Sequence, residues 1–280
     1  MSDRIDAVPG CGEEPLLPTS TIVAALVAGC GDGVVTGLIG ASAVTFAVPV
    51  LVTFASLSAY EAIGASLLVD VIASLVAAWV YHRHGRLRIR PALVIAAAAV
   101  VGAQLGSWLS THLPDAHLGV ITAVIILTTG VRMAFRPESL LPSAKGQARL
   151  AKLPMSTETL HLIAGLVGGL IVGMFCGIYG AGGGVSILFL LVFAMGFSPH
   201  EAIGTSVLVM AFTAASGAAG HAIHGTLPWA LAALAAVGAV LGALGASAVA
   251  NRWNERLLAR VAGGTFVALA VMMLVGRYIL

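Results

Sequence analysis

Ten apolar stretches, most of them close to the length of a bilayer-crossing helix, leave this chain almost no polar surface with which to face water. They run near 20–39, 42–57, 62–82, 91–110, 117–135, 159–179, 184–197, 200–221, 228–250 and 255–278. A helix needs about 20 apolar residues to cross the hydrocarbon core. Segments two and seven fall short, with sixteen and fourteen residues, or about 24 and 21 Å of helix against a core of about 30 Å. Charged side chains are 9% of the 280 residues and hydrophobic ones 59%, where a soluble domain carries roughly 25% charged residues. The chain is expected to be an all-α integral membrane protein.

The second half of the sequence repeats the first. At an offset of half the chain length, E-A-I-G-A-S-L-L-V at 61–69 aligns with E-A-I-G-T-S-V-L-V at 201–209. Seven of the nine positions are identical, including the Glu, Gly and Ser that apolar bias would not supply. The same offset pairs Gly29 with Gly169, Gly33 with Gly173, Gly37 with Gly177, and Gly40-Ala41 with Gly180-Ala181. It continues through Ser58/Ser198, His84/His224, Gly102/Gly242 and Ser107/Ser247 without a gap.

The basic residues orient these repeats. If each half contributes an odd number of crossings, twelve of the fourteen Lys and Arg residues gather on one side: Arg83, Arg86, Arg88, Arg90, Arg132, Arg136, Lys145, Arg149, Lys152, Arg252, Arg256 and Arg260. Only Arg4 and Arg277 fall on the other. The positive-inside rule places the first side in the cytoplasm and both termini outside. An odd number per half also inverts one repeat relative to the other, as in many secondary transporters. The expected organisation is a polar tail at 1–19, repeat one at 20–135, a cytoplasmic linker at 136–158 and repeat two at 159–280. Each half holds about five apolar segments with a broken or re-entrant helix region. Residues 1–18 lack a basic stretch and an apolar core, so no cleaved signal peptide is expected. Cys11, Cys30 and Cys176 suggest no disulfide framework, and a net charge of +2 gives no support for a nucleic-acid partner.

The chemistry is expected at the helix breaks. G-M-F-C-G-I-Y-G-A-G-G-G at 173–184 holds six glycines in twelve residues. At about 1 kcal/mol each, roughly 6 kcal/mol opposes a continuous helix there. A fresh helix starting near Gly183 would present unpaired amides at the positive end of a dipole, suited to an anion. Gly180, Gly182, Gly183 and Gly184 are therefore candidate substrate contacts. The first repeat carries G-L-I-G-A-S-A-V at 37–44, which adds Ser42. Matching interrupted segments in the two halves point to one site at the repeat interface, near the midplane.

Ser66, Thr205 and Ser206, in the E-A-I-G-[AT]-S motifs, supply hydroxyls. Glu61 and Glu201 instead read as the acidic ends of S-x-x-E capping boxes begun by Ser58 and Ser198. Asp70 and Asp32 lie inside apolar segments, Asp70 one turn beyond Ser66 on the same face. A charged Asp at mid-membrane costs at least about 2.5–3.5 kcal/mol and marks a functional position, so both are candidates for proton coupling. Gln104 is a candidate interhelical hydrogen-bonding residue. His221 and His224 are read as headgroup-level side chains; no metal or other cofactor is expected.

Three motifs together resemble the TauE/SafE family of membrane proteins: G-I-Y-G-A-G-G-G-V at 177–185, S-P-H-E-A-I-G-T-S-V at 198–207 and H-A-I-H-G-T-L-P-W at 221–229. The resemblance extends from about residue 20 to 278. It implies carriage of a small sulfur-containing anion, sulfite or a short organosulfonate, across the inner membrane. The expected protein is thus a secondary transporter and not an enzyme, proton-coupled, with a small anion, protons and the lipid bilayer as partners; a homodimer is compatible with it. Two alternatives are a cation or amine carrier using Asp32 and Asp70, and an anion channel.

Overall fold

The computed structural model describes residues 18–42, 44–55, 57, 59–110, 157–179, 183–224 and 227–254, with scattered positions between 127 and 135 and between 256 and 271. Residues 136–156 of the expected linker and most of the apolar stretches 117–135 and 255–278 lie outside the described residues, as do Gly180 and Gly182, while the last two linker positions already belong to a helix that starts at Thr157. The described residues are helical, with no strand among them. We number the helices α1 (Thr19–Ile39), α2 (Val44–Ala55), α3 (Ala59–Arg83), α4 (Ile89–Ser110), α5 (Thr157–Tyr179), α6 (Gly183–Phe189), α7 (Pro199–His224) and α8 (Trp229–Arg252). A π-helical turn at Leu190–Ala194 continues α6.

Four of these are long and apolar enough to cross a membrane: Thr19–Ile39, Glu61–Arg83, Pro199–Ala219 and Trp229–Arg252. The two segments expected to be short are short. α2 has 12 residues and α6 has 7, about 18 and 10 Å of helix, well under a bilayer core. Local sequence sets several helix ends. Pro18 opens α1, its carbonyl accepting the Thr21 and Ile22 amides at 2.8 and 3.1 Å. α7 opens on Ser198-Pro199, and its capping box forms: Ser198 Oγ accepts the Glu201 amide at 3.4 Å while the Glu201 carboxylate faces the Ser198 amide at 3.5 Å. Ser58, the matching cap of α3, lies outside the described residues.

Small residues let the helices pack backbone to backbone. Gly29, Gly33 and Gly37 turn one face of α1 against the carbonyls of Ala235, Ala239 and Ala243 on α8, and Gly238 and Gly242 return the contact to Leu26 and Cys30. A methyl group at any of these positions would meet main-chain atoms of the facing helix. The same arrangement recurs between α5 and α4. Gly169 and Gly173 abut Ile95 and Ala99, and Gly102 abuts Leu170. Each pair in the second set is the first shifted by half the chain, so α1 on α8 and α5 on α4 are two versions of one contact.

α3 and α7, which carry the repeated E-A-I-G motif, run antiparallel. Gly204 near the start of α7 lies against Tyr81 near the end of α3 and Arg86 just beyond it, and Gly217 near the end of α7 lies against Leu67 near the start of α3. Gln104 on α4 donates across the interface to Ser216 Oγ on α7 at 3.0 Å, the interhelical role expected of it. Outward, the long helices show large apolar side chains such as Val27, Trp79, Leu105, Phe212 and Leu241, a surface suited to acyl chains.

Arg88, in the connection after α3, joins Glu201 at 2.6 Å. With the Arg88 side chain 60% exposed, the pair should contribute less than about 1 kcal/mol. Arg88→Ala is therefore expected to change the thermal midpoint in detergent by no more than a few degrees. A collapse of folded yield would show that the pair carries more than a solvent-screened bridge can.

Candidate functional site

α1 ends where the first-half break was expected. Gly40 adopts φ +64, a left-handed conformation that glycine reaches without steric cost, and its amide donates to Thr36 O at 2.9 Å. A side chain here would also strike Ser206 Oγ and Ile203. Gly40→Ala thus combines a left-handed penalty of about 1–2 kcal/mol with a clash. It is expected to lower the thermal midpoint of the purified protein clearly, measured as loss of tryptophan-reported structure on heating.

A break inside an apolar bundle releases backbone carbonyls that need donors. Three hydroxyls supply them. Tyr81 OH donates to Gly37 O at 3.1 Å, Ser206 Oγ to Gly40 O at 3.2 Å, and Thr36 Oγ1 to Ala41 O at 3.2 Å. Tyr81, Thr36 and Ser206 are fully buried. Ser206 also reaches the Ile203 carbonyl in its own helix at 2.9 Å. Its hydroxyl thus joins the second repeat to the break of the first.

Asp70 is 2% exposed and sits beside this break. Thr36 Oγ1 lies 3.3 Å from its Oδ1, and the Ser42 hydroxyl also hydrogen-bonds the carboxyl. Ser66, one turn earlier on α3, is fully buried with no hydrogen-bond partner among the described residues; Ser74, one turn later, is the same. Ser66, Asp70 and Ser74 thus form a polar stripe along the buried face of α3. Asp32 is fully buried on α1, one turn before Thr36. Among the described residues Asp32 and Asp70 are the buried carboxylates, and no Lys or Arg is buried.

The second repeat meets the first at this point. Gly184, in the first turn of α6, leaves no room for a side chain: a Cβ would lie 2.6 Å from Gly40 O and 2.8 Å from Ala41 Cα, and would strike the Met210 sulfur. Met210 is the repeat mate of Asp70. Of the candidate site residues, Ser42, Asp70, Gly184 and Ser206 therefore gather at the first break, with Ser66 one turn from Asp70. Gly183 begins α6.

Thr205 has different company. Its Oγ1 accepts the Arg88 amide at 3.3 Å, which turns it toward the connection between α3 and α4. The side chains of His221 and His224 lie outside the described residues. Sequence reasoning missed Thr36 and Tyr81. Thr36 carried a usable signal, one turn from Asp32 and beside the break. Tyr81 carried none, since its carbonyl partner lies 44 residues away.

The profile of the family described as sulfite exporter TauE/SafE matches residues 24–273. Among curated relatives, a probable membrane transporter protein, YdhB, of Bacillus subtilis (strain 168) is 26% identical over 199 residues, covering 71% of this chain and 78% of the relative. A probable membrane transporter protein of Xylella fastidiosa (strain Temecula1 / ATCC 700964) is 25% identical over 249 residues, covering 86% of this chain and 90% of the relative. YunE of Bacillus subtilis, also a probable membrane transporter protein, is 23% identical over 223 residues, covering 75% and 81%. No solved structure matches the chain.

Proposed function

Because this chain belongs to the sulfite exporter TauE/SafE family, a family of multi-pass membrane transporters, we propose that it is a secondary transporter for a small sulfur-containing anion, sulfite or a short organosulfonate. The observation that carries the site is the meeting of Gly184 with Gly40-Ala41. It brings the start of a second-repeat helix onto the break of the first repeat, where transporters built from repeats bind their substrates.

In this reading the two halves are inverted repeats of about five segments each. The antiparallel α3 and α7 and the two matched helix contacts support the inversion. Both termini face the periplasm of the inner membrane, and the basic connection at 83–90 faces the cytoplasm. The proposed anion contacts are the main-chain amides of Gly180, Gly182, Gly183 and Gly184, of which Gly183 and Gly184 open α6. Ser42, Ser66 and Ser206 line the same region, whereas Thr205, whose Oγ1 accepts the Arg88 amide, faces the connection between α3 and α4. Amides and hydroxyls, in place of a fixed cation, suit a carrier that must release what it binds.

Asp70 is the coupling residue, with Asp32 one turn from its partner Thr36. A proton taken up at Asp70 removes the repulsion between carboxylate and anion, so proton and substrate occupy the site together. A homodimer would leave this intramolecular site intact. An ionised Asp32/Asp70 pair would instead serve a cation or amine carrier, the reading that the two buried carboxylates favour if the anion fails.

Counterflow in proteoliposomes tests the proposal. Liposomes loaded with unlabelled sulfite are expected to accumulate labelled sulfite transiently, and Gly183→Leu to abolish this. Flux without counterflow would identify a channel. Counterflow supported by an amine but not by sulfite or taurine would move the assignment to the cation carrier.

A further inference from the structure

The geometry points to a binding site for a monovalent metal cation of the Na⁺ class at the first helix break, formed by Asp70, Thr36, the Ala41 carbonyl and Ser42. All four ligands are oxygens. Thr36 Oγ1 stands 3.3 Å from Asp70 Oδ1 and 3.2 Å from Ala41 O. Neighbouring oxygens at such spacing fit one coordination shell with metal–oxygen distances of about 2.3 Å, the range of hard cations with oxygen ligands. Ser42 joins the set through the same carboxyl.

Three further features favour a cation there. α1 ends at Ile39, so its negative dipole end and its released carbonyls point toward this spot. Thr36 has one hydroxyl proton but two acceptors within reach, Asp70 and Ala41, and donation to either leaves the other without it. A bound cation removes that conflict, because it satisfies both acceptors directly. Finally, the buried Ser66 hydroxyl, without a partner among the described residues, stands one turn away on the face of Asp70. It supplies one more oxygen along the buried stripe.

The second repeat does not reproduce the set. The mates of Thr36, Ser42 and Asp70 are Cys176, Gly182 and Met210, none of which is a hard oxygen ligand. The cation site therefore has no symmetric copy in the second repeat, and it lies next to the proposed anion site, able to balance its charge. In the proposed transport cycle Na⁺ then competes with the proton for Asp70; this coupling role rests on the transport reading, whereas the binding itself does not. The other titratable groups on helices packed against α3 are Cys30 and Asp32 on α1, none on α2, His200, Glu201, His221 and His224 toward the ends of α7, and Arg252 at the end of α8. Of these, Asp32 is the charged group placed within a turn of the cage.

The test is thermal unfolding of the purified full-length protein in detergent, with NaCl against choline chloride at equal ionic strength and no sulfur anion present. At pH 8 Na⁺ is expected to raise the midpoint saturably, by mass action on the folded state. Thr36→Ser should keep the effect and Thr36→Val should weaken apparent Na⁺ affinity at least about tenfold. Asp70→Asn should abolish it. Identical midpoints in Na⁺ and choline for the unmodified protein would overturn the site, as would an undiminished Na⁺ shift in Asp70→Asn or Thr36→Val. A Na⁺ shift without sulfite counterflow would retain the cation site and discard the anion carrier; counterflow without a Na⁺ shift would do the reverse.

Discussion

Gly33→Leu is expected to remove folded protein altogether. A Cβ at Gly33 would overlap the Ala239 carbonyl and lie 2.7 Å from the Ala243 amide nitrogen. These are backbone atoms of a continuous helix, which cannot yield as a side-chain tip can. Overpacking a core against movable side chains typically costs 1–3 kcal/mol; driving α1 away from α8 along their length should exceed about 3 kcal/mol. Gly173→Leu, the repeat mate, should do the same through Ala99 on α4. Gly245 is the control, since a Cβ there meets nothing within 4 Å. Gly245→Leu should give a monodisperse peak in detergent size-exclusion chromatography, and the other two should not. A well-folded Gly33→Leu protein would show that the close helix contact does not exist.

Asp70→Asn carries the second large expectation. The amide keeps the shape of the carboxyl and can still hydrogen-bond Thr36 and Ser42, so the fold is expected to survive. What it loses is the charge that a proton or metal cation neutralises. A coupling free energy of 1–3 kcal/mol corresponds to about 5–150-fold, so concentrative sulfite uptake should fall toward the upper end, about 100-fold, and lose its dependence on an imposed ion gradient. Exchange of sulfite for sulfite needs no net coupling and should be hit far less. Concentrative uptake at the original rate in a folded Asp70→Asn protein would remove Asp70 from the coupling role.

The positions of the breaks were legible because they are local. Glycines oppose helix continuation whatever surrounds them, and segments two and seven are too short to span, so the ends of α1 and the start of α6 fall where composition alone puts them. The Ser198–Glu201 capping box was legible for the same reason, since it spans three residues. The matched contacts of α1 with α8 and α5 with α4 were half legible. The repeat announces that the halves correspond, but not that each first helix packs on the other half's helix.

The donors to the broken backbone were not legible, because they come from elsewhere in the chain. Tyr81 reaches Gly37 across 44 residues, and Ser206 reaches Gly40 across 166. Ser206, a proposed substrate-lining residue, also holds the Gly40 carbonyl at the break. Thr205, its neighbour, is turned to Arg88, since adjacent residues on a helix point about 100° apart. Glu201 was readable as a cap, whereas its second partner, Arg88, depends on how α3 and α7 cross.

The most direct test of the account is the accessibility of Ser42, which lies beside the first break and hydrogen-bonds Asp70. A Ser42→Cys protein, with Cys11, Cys30 and Cys176 replaced by serine, would be reconstituted and labelled with a membrane-impermeant maleimide from one side at a time. If the meeting of the two breaks is the substrate site of a carrier, sulfite should slow labelling saturably, and an opposing ion gradient should shift reactivity from one side to the other. Labelling that ignores saturating sulfite, or proceeds equally from both sides at once, would contradict it.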